Sequence, residues 1–303
     1  GGTASMRVAS EPNLCGRKIF RASEHIGMEA RAIGTYVGRE TETESVYLLG
    51  VDTTFGRSFA RMYRRSLEAN GVEVVDERFV PSGFSEFRGV LEDIDDQAEA
   101  IGVGLTARTL RTFLDTFVKG NVSGAFDLEV YAPLPGQTGL NQVGNILETT
   151  LDEITEESID EVNIGGLASR YHWNQYENPI NDDFVSSFEE TYETLPALFA
   201  GGTFTAGSAL AQAVEETGSI DTDDLADALH GMTVERTPKG ENGYVFQEHN
   251  NQAKSEMTVA DIVPNREENW DASVMPSEPL ARVSADQASV PVDDPDMNCD
   301  IRN

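Results

Sequence analysis

Positive charge is scarce in this sequence. Lys and Arg together number 22 against 53 Asp and Glu, giving a formal net charge of -31 at pH 7 over 303 residues. The lysines are Lys18, Lys119, Lys239 and Lys254 alone. A chain so negative repels phosphate backbones and anionic headgroups, which argues against nucleic acid and anionic membrane as partners. Acids spread along every helical segment, with Arg carrying most of the positive charge, form the pattern of a salt-adapted protein. A disordered acidic chain is the rival reading. A hydrophobic content of 39% and regular alternation of strand and helix patterns argue for a folded globular protein.

Long apolar runs are missing too, so nothing in the sequence reads as a bilayer-spanning helix. No charged-then-apolar signal segment opens the chain, and there is no initiator Met. The start at Gly1-Gly2-Thr3 reads as the turn after a strand, and the expectation is a piece of a longer precursor. Only two cysteines occur, Cys15 and Cys299. They can pair, or either can belong with a partner in a missing amino-terminal part. The four histidines, His25, His172, His230 and His249, lie far apart and show no metal-ligand spacing.

Catalytic signatures are equally absent: no Gly-x-Ser-x-Gly elbow, no phosphate-cradling Gly-Lys-Ser/Thr loop and no HExxH helix. Gly102-Val103-Gly104 hints at a dinucleotide loop but lacks the third glycine and the acid after the next strand. The run Asp221, Asp223, Asp224 and Asp227 lacks the Gly and terminal Glu of a calcium loop, and reads as a helix start with acids against its dipole. The expectation is a protein without enzymatic activity, metal or cofactor.

What is present is clearest from Ser45 to Asp96. Val46 to Leu49 with Val51 form a near-continuous apolar run, the mark of a strand covered on both faces in a parallel sheet. Thr53 and Thr54 can cap a helix whose apolar positions Phe55, Phe59, Met62, Tyr63 and Leu67 recur at spacings of three and four, and Asn70-Gly71 stops it. Val72 to Val80 is the next strand, Pro81-Ser82-Gly83 a turn, and Phe84 to Ile94 another amphipathic helix. Units of this kind bind ligands at the carboxyl ends of the strands. Phe55 lies on such a turn and suits either an apolar ligand group or stapling the helix to the sheet. Thr106 and Tyr131 follow or end adjacent strands and face the same crevice by this reading, with Thr106 otherwise a plain helix cap.

Around this unit, Cys15 to Ala22 alternates as a short strand, and Glu29 to Arg39 reads as a helix. Ala98 to Gly104 is a buried strand before the helix Ala107 to Lys119. Strand Phe126 to Ala132, helix Leu140 to Ile154 and strand Val162 to Ala168 close the series. After an aromatic, polar loop from Ser169 to Asn181 come helices Asp182 to Thr194, Thr203 to Thr217 and Thr222 to Gly231, which fit a different lobe better than a continued sheet. Gly243 to Gln247 and Met257 to Val263 read as strands. From Asn265 onward Pro, Ser and Asp dominate, and the expectation is a loosely packed extension.

Together CGRKIFRAS, the run YLLGVDTTFGRSFARMYRRSLEANGVEVVDERFVPSGFSEFRGVL, YHWNQYENPINDDFVSSFEETY and TPKGENGYVFQEHNNQAKS resemble the branched-chain amino acid (Leu/Ile/Val-binding) family of periplasmic binding proteins, the substrate receptors of ABC importers. The resemblance covers nearly all of Gly1 to Pro264, and salt adaptation points to a haloarchaeal member. It implies a type I fold: two α/β lobes, each a parallel sheet flanked by helices, closing over a small ligand about hinge strands. Crossings are expected near Ala22, Ala168 and Gly240. Residues 1–22 with 169–240 would then form lobe one, lacking its first strands. Residues 23–168 with 241–264 would form lobe two, and 265–303 an extension.

The family's ligand residues, carried over, are Thr3 in the small-residue turn that holds a carboxylate, Phe55 after the first lobe-two strand, and Leu105 or Thr106 after the next; Ala4 beside Thr3 and Tyr131 at its strand end complete the candidate set. The acid that meets a ligand ammonium is expected near Pro133-Leu134, where none stands. This departure speaks against an α-amino acid ligand and leaves amides, urea-like ligands or other small carboxylates open. The resemblance implies an extracytoplasmic, lipid-anchored receptor with a membrane permease as partner. A ligand sensor coupled to a chemotaxis transducer or to regulation is the alternative.

Overall fold

The computed structural model describes residues 5–302. The chain divides into two compact units, 1–29 with 170–257 and 283–303, and 30–169 with 258–282. It therefore passes from one to the other after residues 29, 169, 257 and 282.

The second unit is built on β1 (Ser45–Val51), β2 (Glu73–Val80), β3 (Ala100–Gly104), β4 (Glu129–Pro133) and β5 (Ile164–Ser169). Neighbouring strands in this set run parallel, in the order β5-β4-β3-β1-β2. The sheet continues past β5 through Met257–Ala260, antiparallel to it, and Ala281–Val283. β1 is buried along almost its whole length because helices cover both faces. β2 departs from the continuous burial of its neighbours: it is the sheet edge, and Glu73, Asp76, Glu77 and Arg78 line it. Charge on an edge discourages pairing with another chain.

Local chemistry explains the helices. Thr53 caps Thr54–Ala69 by accepting from the Gly56 amide, and Asn70 with Gly71 at φ 87° ends it. Thr106 precedes Ala107–Val122, but its side chain makes no capping bond, which corrects the cap expected there. Phe84, Phe87, Phe113, Phe117 and Phe126 follow one another ring to ring at 5.0 to 6.4 Å beside the sheet. The Gly102-Val103-Gly104 glycines answer to packing, because a Cβ at Gly102 would lie 2.2 Å from Tyr63 and one at Gly104 2.6 Å from Phe59. They leave room for the helix on the sheet, not for a phosphate.

The first unit carries a smaller antiparallel sheet of β6 (Thr233–Thr237), β7 (Gly240–Phe246) and β8 (Ala253–Lys254), packed with helices Pro179–Tyr192, Ala200–Thr217 and Thr222–Leu229. Ala209, Ala213, Leu229, Val234, Tyr244, Phe246 and Ala253 form its core. Three expectations need correction. Cys15 to Ala22 is not a strand; it is turn and coil with a single bridge from Arg21 to Gln252. Helix Pro179–Tyr192 starts earlier than Asp182, because Asn178 accepts the Ile180 and Asn181 amides and Pro179 follows as a pre-set first residue. The strand β6, hidden by Glu235 and Arg236, pairs with β7 through the Pro238-Lys239 turn.

The tail is not loosely packed. Val274–Pro276 pairs antiparallel with Ile262–Pro264, and Trp270 is buried with its indole N–H donating to the Val274 carbonyl. Farther on, Ser284 and Gln287 form a capping box on Ala285–Ala288. Cys299 is disulfide-bonded to Cys15 across 284 residues of sequence. Proline and serine had disguised short strands and caps as disorder. Asp221 caps Thr222–Leu229 by accepting the Asp223 amide, as its acidic start implied.

Candidate ligand site

In the second unit β1 and β3 are hydrogen-bonded neighbours with Gly50 opposite Gly104, so the segments leaving their carboxyl ends start side by side. Phe55, half-buried, lies in the first turn of the helix after β1. Leu105, buried, and Thr106, exposed, follow β3 directly. The structure thus gathers these three at one sheet edge, where loops and helix starts leave backbone groups available. Beside them Arg57 pairs with Asp52 at 2.7 Å and stacks on Phe79.

Tyr131 is placed elsewhere. It lies within β4 opposite Gly102 and is fully buried. Its hydroxyl donates to Glu129 at 2.7 Å and bonds with Thr43 at 3.0 Å, and its ring packs edge-on to Tyr36. Burial and the Glu129 charge push the phenol well above its ordinary range. Glu129 is thereby engaged inside the unit, and its carboxyl is raised mainly by burial. Thr3 and Ala4 lie outside the described residues.

The first unit contains what the sequence reading missed. A cavity of about 490 Å³ is walled by Phe20, Phe199, Ala206, Leu225, Leu229 and Phe246, with Gly202 and Thr203 at the start of helix Ala200–Thr217. That size and lining are typical of small-molecule sites. This helix begins three residues before the expected Thr203, and Phe199 just ahead of it is part of the wall.

The same unit buries an unusual number of charges. Lys239 Nζ lies 2.7 Å from Glu24 Oε1, both side chains 1% exposed, and donates further to Ser255 Oγ and the Glu256 carbonyl. Ser255 donates to Glu24, and the ammonium sits 5.2 to 5.3 Å from the rings of Tyr176 and Tyr244. Burial opposes the Glu24 charge, but Lys239 outweighs it and the carboxyl ends below its ordinary value. Arg170 donates to Glu29 at 2.6 Å, again with both side chains buried. Arg21 donates to the carbonyls of Ser5, Ser23 and Glu24, and burial lowers its pKa to about 10. His25 is pushed well below the usual range by burial and by the Arg21 and Arg170 charges, which keeps it neutral. Nothing in the primary spacing could have found this cluster, because residues 21–29, 170 and 239 meet only through folding. Among the described residues, no group of His, Cys, Asp and Glu could hold a metal ion.

The chain thus comprises one unit built on a mostly parallel α/β sheet and another with a small antiparallel sheet, linked by several chain passages. A family model for periplasmic binding proteins matches residues 2–267, and the chain belongs to that family. No curated protein matches the chain. Among solved structures, an ABC-type branched-chain amino acid transporter protein from Rhodopseudomonas palustris is similar over 96% of this chain and 72% of its own, at 21% identity and TM-score 0.74. A leucine-, isoleucine-, valine-, threonine- and alanine-binding protein from Brucella ovis gives TM-score 0.77 at 15% identity, over 96% and 70%. An R. palustris solute-binding protein in complex with benzoate gives 0.65 at 16% identity, over 98% and 72%. At these identities the likeness establishes the fold, the type I periplasmic binding protein architecture. Family and structural relatives are substrate-binding proteins, and among the described residues no helix is long and apolar enough to cross a membrane.

Proposed function

We propose that the chain is the extracytoplasmic substrate-binding protein of an ABC importer. It captures a small metabolite between its two lobes by hinge closure and presents the closed form to a membrane permease. It is not an enzyme. The observation that carries this reading is the family match across residues 2–267. In this proposal the two compact units are the lobes, and a ligand favours closure by its differential affinity for the closed state.

The ligand class is set by chemistry as much as by kinship. Pro133, Leu134 and Pro135 offer no carboxylate to a ligand ammonium, and Glu129 already accepts from Tyr131. Small acids and amides therefore suit the chain better than α-amino acids, and relatives crystallised with benzoate and 3,4-dihydroxybenzoic acid show the fold can accommodate such acids. The Cys15–Cys299 disulfide supports an oxidising, extracytoplasmic setting. The acidic composition supports a salt-rich one, in which screening relieves self-repulsion.

A thermal-shift screen in high salt against amino acids, amides, urea and small carboxylates tests the proposal, since any saturable ligand raises the melting point by mass action. A shift with one class and none with the others identifies the cargo. No shift across the whole panel would remove the receptor reading.

A further inference from the structure

We propose that the solvent-facing side of helix Ala200–Thr217, together with the apolar cavity beside it, is a self-association surface that docks against the same surface of a second copy of this chain. The inference goes beyond the receptor reading and does not depend on the cargo.

Charged residues make up 25% of the chain, yet from Thr194 to Val214 there is no Asp, Glu, Lys or Arg. Within the helix Thr203, Gly207, Leu210, Ala211 and Val214 are exposed. They recur at spacings of three and four, so they share one face, the side on which a surface helix ordinarily carries charged and polar groups. Here Leu210 is 50% exposed, and Phe199, just before the helix, 46%. Both also line the cavity, so the uncharged face runs on into an apolar recess shared with Phe20, Leu229 and Phe246. Contiguous apolar surface of this kind marks a place of contact.

Gly207 supplies an independent observation. Glycine inside an exposed helix costs stability. The two glycines at the start of this helix have a packing reason: a Cβ at Gly201 would lie 2.6 Å from Tyr171 and one at Gly202 2.8 Å from Ser23. A Cβ at Gly207 would meet nothing within 4 Å. Packing inside the chain does not account for this glycine, whereas a surface arriving from outside does, because a missing side chain lets another backbone come close.

Charge selects the occupant. At a net charge of -31, two copies repel each other over most of their surface, and the repulsion is least where acids are missing. The flank of the face is balanced as well. Lys18, at the cavity, is paired with Asp223, and Arg17 with Asp227 at 2.9 Å, all four side chains more than half exposed. A basic partner would be drawn to the acidic surface elsewhere before this one. A small polar cargo would find no acid among the described lining residues, and the ionisable one, Lys18, is already paired. A second copy is neutral and apolar in the same places, so it matches the face in both respects. In a two-fold contact each residue is buried once per copy, so Phe199, Leu210 and Val214 contribute in pairs, with the two helices crossing near Gly207.

The test is sedimentation velocity of the full chain in high salt over a concentration series, with Gly207→Gln and Leu210→Asp beside the wild type. The wild type should show a reversible equilibrium between monomer and dimer. Gly207→Gln should weaken dimerisation by about 10-fold or more. Its melting point in dilute solution should stay at or above that of the wild type, because the new side chain has open space around it in the single chain. Leu210→Asp should leave the chain monomeric. Lower salt should weaken the wild-type dimer, since the net charges are then less screened. A wild type that stays monomeric throughout, association that runs on past the dimer, or dimers of unchanged strength in both variants would each overturn the proposal. If the wild type is monomeric and an apolar dye binds it but not Leu210→Asp, the face belongs to a small apolar ligand or to a different polypeptide instead.

Discussion

The two units solve the problem of a stable interior differently. The second buries a wide parallel sheet under helices, with a file of five phenylalanines and scarcely a buried charge. The first has a three-stranded antiparallel sheet and spends its interior on Arg21, Glu24, His25, Glu29, Arg170 and Lys239. It leaves Phe199, Leu210 and Ile220 exposed, and closes its ends with the Cys15–Cys299 bridge. Apolar packing is forgiving and pH-independent, whereas buried ion pairs hold only while every partner is present. The second unit's interior is thus largely indifferent to pH, whereas buried ionisable groups concentrate in the first.

The comparison can be broken by substitution. Replacing Lys239 with Met leaves the Glu24 carboxylate buried without its cation, and should cost about 3–5 kcal/mol. The double variant Glu24→Gln/Lys239→Met should recover most of that loss. Denaturant unfolding in high salt measures both, and a single variant no weaker than the double would show that the pair contributes nothing by being charged. Phe113→Ala should cost a similar amount, about 3–5 kcal/mol, through the cavity left between Phe87 and Phe117. Should the units melt separately, Lys239→Met lowers one transition and Phe113→Ala the other; a common shift in both would merge the units into one cooperative body.

Removing the disulfide as Cys15→Ser/Cys299→Ser should cost about 2–5 kcal/mol, and the loss should fall on the first unit's transition. Calorimetry of the variant beside the wild type reads it directly.

Acid sensitivity should also be concentrated there. Burial lowers His172 from 6.5 to about 4. The unfolded chain therefore takes up a proton first as pH falls, and stability drops between pH 6.5 and about 4 by at most ~3 kcal/mol, while above 6.5 this histidine contributes no pH dependence. His172→Gln should flatten the melting-temperature profile in that window. Identical profiles for variant and wild type would remove the histidine from the account. Smallest of all, Asp52→Asn breaks an exposed pair with Arg57 and should change stability by less than about 1 kcal/mol.

Much of the second unit was legible before folding. The apolar run of β1, the Thr53 cap and the Asn70-Gly71 stop are local signals, and each falls where it was read. Phe55 and Leu105-Thr106 were placed at one sheet edge by the same logic, since the period of a strand-helix-strand unit fixes which ends share a side. Tyr131 shows the limit: its position on a strand was readable, but only the neighbouring Glu129, Thr43 and Tyr36 decide that its hydroxyl is engaged inside the unit.

The sequence by itself determined the class of fold, the acidic surface, and the strands and helices whose pattern repeats within a few residues, because backbone capping and hydrophobic periodicity act over short separations. Tertiary structure alone decided that Cys15 meets Cys299, that Glu24 meets Lys239 and Glu29 meets Arg170, and that the bare glycine start of helix Ala200–Thr217 borders a cavity. These partners lie 141 to 284 residues apart in the three paired cases, and no local propensity carries information over such distances. The mutual dependence of these charges exists only once they leave water together, since in the unfolded chain each is solvated alone.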